Sequence, residues 1–250
     1  METSDLTPSA WRTCRVLANV NRLRLLAAVS QGGPLAVSQA ALRAGVPEIT
    51  ATLGLRALQS RGLLTSVRDS RWVRYAASPD PLVSHATDFL SVTTHALQQG
   101  ETPATLAKAF TAFTHPRRVR IVQTLVRSPM DADALSVQCE ISPPALRRHL
   151  AKLSRRGVVT ATNAHTWRLA VPPLPLLRDL VLIILGARRA PDHTFEGVIR
   201  NPTAKSEPGL PGKGPELPQT AADLSPATRT TRVRISRRLP RKARTDRRSA

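Results

Sequence analysis

Carboxylates are scarce in this chain: Asp and Glu number 17 among 250 residues, against 37 Lys and Arg. They are also scattered, so the paired acids that proton-transfer or hydrolytic chemistry needs do not form. No glycine-rich phosphate loop is present, and no Ser or Cys nucleophile has a neighbouring base. An enzyme is therefore not expected. Cysteine is nearly missing as well. Cys14 and Cys139 are too few for a disulfide framework or a four-thiolate metal site. Both lie in apolar, helical-period surroundings, where a buried, reduced thiol is the usual state. Long apolar runs are lacking: residues 174–186 make the longest, and they include Arg178 and Asp179. A membrane-spanning helix needs about 20 residues. The opening Met1-Glu2-Thr3-Ser4-Asp5 is acidic and polar, unlike a secretory leader. A soluble, intracellular protein is expected.

What is abundant is positive charge. The formal net charge of +20 speaks of partners and not of fold. It calls for a polyanion, nucleic acid before an acidic membrane surface. Residues 187–250 hold 15 basic and 6 acidic residues, so the rest of the chain is basic in its own right. That segment has eight prolines, several glycines and almost no aromatic residue. It cannot bury enough surface to offset the entropy of ordering. Within it, positions 229–248 carry ten Lys and Arg against Asp246 alone. A disordered Pro-rich, Arg-rich tail is expected over 187–250, adding affinity without specificity.

The remainder states one pattern twice, about 95 residues apart. The first copy opens with Leu17, Asn19 and Arg22-Leu23-Arg24-Leu25-Leu26. It runs through Val46, Leu55, Leu58 and Arg61-Gly62-Leu63-Leu64-Thr65 and closes on Trp72. The second opens with Phe113, His115 and Arg118-Val119-Arg120-Ile121-Val122. It runs through Ile141, Leu150, Leu153 and Arg156-Gly157-Val158-Val159-Thr160 and closes on Trp167. Self-similarity at a fixed period defines the structural unit.

Thr7-Pro8 suits a capped helix start. Apolar residues at helical spacing follow from Trp11 to Val20, then in a second short helix with Leu23, Leu26 and Ala27. Residues 37–44 make another, which Gly45 ends in a left-handed cap. A helix from about Glu48 to Ser60 comes next, and residues 63–75 alternate as a hairpin turning at Asp69-Ser70. In the second copy the pattern predicts helices near 104–114, 116–127, 131–139 and 143–155, then a hairpin over 158–171. Between the copies, Leu82, Ala86, Phe89, Leu90, Thr93 and Leu97 line one face of an amphipathic helix. Residues 174–185 are apolar nearly all round and so should be buried all round, between the copies or between two chains. The expected fold is mainly α with small β-hairpin wings: tandem winged helix-turn-helix domains at 8–98 and 104–186, each closed by a further helix, before the tail.

The segment from Ile141 to Gly157 carries the clearest chemistry. Ser142 can accept a bond from the open backbone N–H groups of a helix start, and Pro143 fits its first turn. Leu146, Leu150 and Leu153 form one stripe toward the core, and Arg147, Arg148, Lys152 and Arg155 occupy the others. A major-groove helix needs this division, apolar behind and guanidinium in front. Each copy resembles the ArsR-like family of winged-helix repressors. The opening is similar to that family's Leu-Ala-Asn/Asp-Pro-x-Arg-Leu-Arg-Ile-Leu signature, here Leu17-Ala18-Asn19-Val20-Asn21-Arg22-Leu23-Arg24-Leu25-Leu26. His115-Pro116-Arg117-Arg118-Val119-Arg120-Ile121-Val122 takes that part in the second copy. The reading segment is similar to the family's pattern at Ser142, Arg148-His149-Leu150, Leu153 and Gly157-Val158-Val159.

The resemblance implies a sequence-specific, DNA-binding transcriptional regulator in the cytoplasm, associated with the nucleoid. Its partner would be double-stranded DNA, with no membrane partner. Family members pair through terminal helices, so this chain would act as a homodimer or form a pseudo-dimer within one polypeptide. The expected DNA contacts are Ser142, Arg147, Arg148, His149, Lys152 and Arg155, joined in the first copy by Thr50, Thr52, Arg56, Arg68, Arg71 and Arg74. The first reading helix is poor in charge: Thr52-Leu53-Gly54-Leu55 stands where the second has Arg147-Arg148-His149-Leu150, and Glu48 sits at its start. It reads as the weaker DNA reader or a structural copy. Trp72 and Trp167 are expected to pack on the reading helices, while Arg22, Arg24, Arg118 and Arg120 face phosphate or solvent. No cofactor or metal is expected. The family's paired thiolates are absent beside Cys139, and His85, Asp88 and His95 read as exposed polar residues, although such a set can bind zinc. The alternative function is a tandem winged-helix protein-interaction or chromosome-organising module with nonspecific nucleic-acid affinity.

Overall fold

The computed structural model describes residues 9–69, 72–162 and 166–187. The Thr7-Pro8 helix start, Arg71 and the expected tail lie outside the described residues. Those described fall within a single packed unit.

The first half runs α1 (Ala10–Leu17), α2 (Val20–Gly32), β1 (Leu35–Ala36), α3 (Val37–Ala44), α4 (Glu48–Gln59), β2 (Thr65–Asp69), β3 (Trp72–Ala76) and α5 (Ala86–Gln98). The second repeats that order with α6 (Pro103–Phe110), a 3-10 turn (Thr111–Phe113), α7 (Pro116–Leu125), β4 (Met130–Asp131), α8 (Ala132–Cys139), α9 (Pro143–Ser154), β5 (Val159–Ala161), β6 (Thr166–Leu169) and α10 (Pro175–Ile184). The signature residue Asn19 is the N-cap of α2, its side chain accepting from the Arg22 amide at 3.1 Å. His115 does the same for α7, Nδ1 accepting from the Arg117 amide at 3.1 Å. Each satisfies one of the amides a helix start leaves without a partner. The turn between α3 and α4 uses Gly45 at φ 63, whereas the matching turn holds Glu140 at φ 53, a backbone region that disfavours a side chain.

Each hairpin gains a third strand, in the orders β1-β3-β2 and β4-β6-β5. The strands β1 and β4 are two residues long, too short to show an alternation in the sequence. Register corrects the tryptophan match. Leu35 pairs with Tyr75 and Met130 with Trp167, while Ser66 pairs with Tyr75 and Ala161 with Trp167. Tyr75 is thus the counterpart of Trp167. Trp72 lies three residues further out on a longer wing and is 52% exposed.

The helix between the copies begins at Ala86, so Leu82 precedes it and is 90% exposed. Asp80 captures the Leu82 amide at 3.0 Å and turns the chain there. The apolar α10 buries Leu176, Leu177, Leu180, Val181, Ile183 and Ile184, packing on α5 of the first half and on α6 and α7 of the second. Gln123 Nε2 donates to the Ile184 carbonyl at 3.1 Å and ties down its end. Likewise α1 packs on α6 and on the 3-10 turn. Matching helices therefore meet one another, α1 with α6 and α5 with α10, as in a two-fold interface. One hydrophobic cluster runs from Cys14 to Ile184 through both halves. Both cysteines are buried and free, and burial holds the Cys14 thiol well above its usual pKa.

Candidate nucleic-acid interface

Helix α9 packs on α7 and α8 through its buried Ala145, Leu146, Leu150 and Leu153. The outer face leaves Arg147, Arg148 and Arg155 exposed, with His149 and Lys152 half-buried at its margin. Arg155 Nε donates to the Ala151 carbonyl at 3.2 Å, laying that guanidinium along the helix. Ser142 is the N-cap residue, yet its hydroxyl accepts no capping hydrogen bond, a correction to the sequence reading. A cap oxygen bonds the amide of the second or third helical residue, and Pro144 in the second position has none.

The surroundings of α9 form a positive field. His149 and His115 stack with ring centroids 4.7 Å apart and planes tilted by 41°. Burial, His115 and then Arg118, Arg117 and Arg148 push His149 down to about 4. Burial, Arg118 and Arg117 lower His115. Burial followed by Arg156, Arg118 and Arg155 lowers the Lys152 ammonium. Besides burial, every influence on these groups is another cation or imidazole, and no carboxylate takes part. His149 is neutral at pH 7 and sits against His115, which positions it at the edge of the arginine face. On the wing, Arg168 of β6 is exposed, a cation that the sequence reading missed because it lies beyond the helix pattern.

The four signature arginines sort differently from one another. Arg118 turns inward: Nε donates to the Ala112 carbonyl at 2.6 Å, and Nη2 to the Thr111 carbonyl at 3.1 Å and Thr114 Oγ1 at 2.6 Å. Arg22 makes the matching bond, Nη1 to the Val16 carbonyl at 3.2 Å. Arg120 pairs with Glu140 at 3.1 Å, and only Arg24 of the four is simply exposed on its helix. Two of the four are thus clamps on the preceding helix end.

In the first half, α4 buries Ala51, Gly54, Leu55 and Leu58. A Cβ at Gly54 would come within 2.6 Å of Leu25 Cδ1, so this glycine lets α4 lie close on α2 and does not face outward. Thr50 and Thr52 are half-buried, and the Thr52 hydroxyl donates to the Glu48 carbonyl at 2.9 Å. The outward stripe is instead Ile49, Leu53 and Arg56. On the wing, Arg68 is exposed and Arg74 pairs with Asp69 at 3.1 Å. Ile49 and Leu53 were legible from their spacing opposite the Ala51, Leu55 and Leu58 stripe.

His85 precedes α5 in a left-handed conformation, its Nδ1 3.9 Å from Asp88 Oδ2. Among the described residues, no three of His, Cys, Asp and Glu gather as metal ligands would. No helix there is long and apolar enough to cross a membrane.

Three helices with a three-stranded wing, the third helix basic and outward, make the second half a winged helix-turn-helix of the DNA-binding class. Residues 115–161, from the cap of α7 to the end of β5, match the family model described as bacterial regulatory protein, arsR family. This part of the chain is an ArsR-family helix-turn-helix domain, a DNA-binding transcription-regulator domain. No curated protein matches the chain.

Proposed function

We propose that the chain is a sequence-specific transcriptional regulator that reads duplex DNA mainly through α9, with 8–98 and 104–186 acting as two winged domains of an intramolecular pseudo-dimer. The observation that carries this reading is the outward face of α9 and its C-cap, where Arg147, Arg148 and Arg155 are exposed and form no ion pair among the described residues. Arg147 and Arg148 project toward base edges, where guanidinium groups match the two acceptors of guanine. Ser142, Lys152, Arg155 and Arg168 engage phosphates, and His149 fills the groove margin as a neutral group. Arg56, Arg68, Arg71 and Arg74 serve the phosphates beside the first half, and Thr50 and Thr52 flank its reading face. The tail at 187–250 adds affinity through counterion release, without base readout.

In vitro site selection with the full chain tests the reading. Wild type enriches a defined site, and Arg147→Ala with Arg148→Ala loses that preference. Each lost bidentate contact costs about 1–3 kcal/mol of discrimination. A double variant that enriches the same site with the same affinity removes α9 as the reader.

A further inference from the structure

The reading helix of the first half presents an apolar face where that of the second presents arginine. Ile49 is 78% exposed and Leu53 64%, and Leu42 on the preceding α3 is 84% exposed. Leu53 occupies the place of Arg148, and Ile49 lies at the N-terminal end of the helix, the part that meets base edges in helix-turn-helix proteins. The hydroxyl of Thr52 is spent on the Glu48 carbonyl. Between Glu48 at its start and Arg56 near its end, the outward chemistry of α4 is thus methyl groups.

The charge around this face decides what it meets. Residues 10–98 hold ten arginines against Glu48, Asp69, Asp80 and Asp88. Arg56 on α4 and Arg68 on β2 are exposed, as is Glu48 beside Ile49, and the Arg43 guanidinium on α3 lies against Gly32 at the end of α2. Two copies of the chain meeting through it would set one cationic rim against another. Duplex DNA offers the complement to both parts: phosphates to the rim, and in the major groove the C5 methyl of thymine, the one apolar group displayed on a base edge.

We propose that α4 reads thymine methyls through Ile49 and Leu53, so that the chain recognises an asymmetric site. Such a site has one guanine-containing element under α9 and one thymine-containing element under α4. This inference rests on the DNA-reading function proposed above and assigns the first half a specificity of its own. Burying one methyl against Ile49 or Leu53 is worth about fourfold in affinity, from about 0.8 kcal/mol per carbon.

The test uses the full chain and the site it selects. Deoxyuridine in place of thymidine removes the C5 methyl and nothing else, so wild-type affinity should fall about three- to fourfold per replaced base in the α4 element. The same replacement in the α9 element should do little. Ile49→Ala with Leu53→Ala, both exposed and so expected to melt as wild type does, should lose sensitivity to uracil while keeping the guanine element. A selected site with no thymine element, or an affinity indifferent to uracil, overturns the inference. So does a wild-type dimer in light scattering without DNA that the double variant turns into a monomer, because the face then binds another copy. Failure of the α9 function is distinguishable: there, Arg147→Ala with Arg148→Ala leaves the guanine element selected.

Discussion

Replacing Arg118 by methionine separates a clamp from a phosphate contact. Methionine keeps most of the aliphatic stem but removes the three hydrogen bonds to Ala112, Thr111 and Thr114. The Ala112 residue is fully buried, so its carbonyl has little access to water once the guanidinium is gone. Bonds to a charged group contribute about 1.5–3 kcal/mol when broken singly. Three donors on one half-buried guanidinium share a single desolvation cost, and the expected loss is about 2–4 kcal/mol. For a folded part of this size, 1 kcal/mol moves the melting temperature by about 2–4 °C, so a drop of about 5–15 °C is expected. The matching Arg22→Met loses one bond of 3.2 Å and should cost about 1 kcal/mol. Calorimetry on both variants gives the ratio within one chain. DNA titrations over a salt series should show an unchanged slope for Arg118→Met. If that variant melted like wild type and its salt slope shrank by about 0.9, the loss of one phosphate, Arg118 would be a DNA contact and the inward clamp would be wrong.

Because His149 in the folded chain titrates at about 4, below its ordinary 6.5, the unfolded chain takes up the proton first. Stability should be fully present above pH 6.5 and drain away between pH 6.5 and 4, and His149→Gln should flatten that part of a melting-temperature profile. Glu140→Gly should raise the melting temperature despite breaking the exposed pair with Arg120, since φ 53 suits glycine, as Gly45 already does in the first half; a lower melting temperature would make the ion pair the dominant effect. Truncation after Ala187 should weaken binding to all sequences alike and flatten the salt dependence by several units, at about 0.9 per phosphate. An altered site preference in the truncated chain would mean that the tail reads bases.

The helix order and the reading segment were legible because they rest on local signals. Prolines at 116 and 143, Gly45 past α3 and the leucine stripe of α9 mark starts, stops and a buried face within a few residues of chain. What sequence could not supply came from pairing across distance. The ten-residue interval from Gly62 to Trp72 repeats from Gly157 to Trp167, yet strand register matches Trp167 with Tyr75, because the first wing is longer and spacing cannot see which residues lie opposite. Arg118 and Arg22 read as surface cations by composition. Their inward turn depends on where the end of the preceding helix leaves open carbonyls. The part Gly54 plays in α4 is non-local too: only the approach of Leu25 reveals it as room for a neighbour.

The two halves share an architecture without sharing a surface, and their covalent link is what allows this. In a dimer of identical chains every substitution appears on both sides of the axis. A change from arginine to leucine on the reading helix would then alter both half-sites together. Here α1 meets α6 and α5 meets α10 within one chain, so the interface persists while Leu53 and Arg148 differ. If the chain acts as the proposed pseudo-dimer, its DNA site should be asymmetric, since palindromy in an operator mirrors two-fold symmetry in the protein. The link also changes what a weak reader is worth. On the proposed reading, once α9 is engaged, α4 would meet its element at an effective concentration in the mM range, as for joined modules with short linkers. A contact of only about fourfold per methyl would then decide between neighbouring registers on DNA that α9 alone would fill equally.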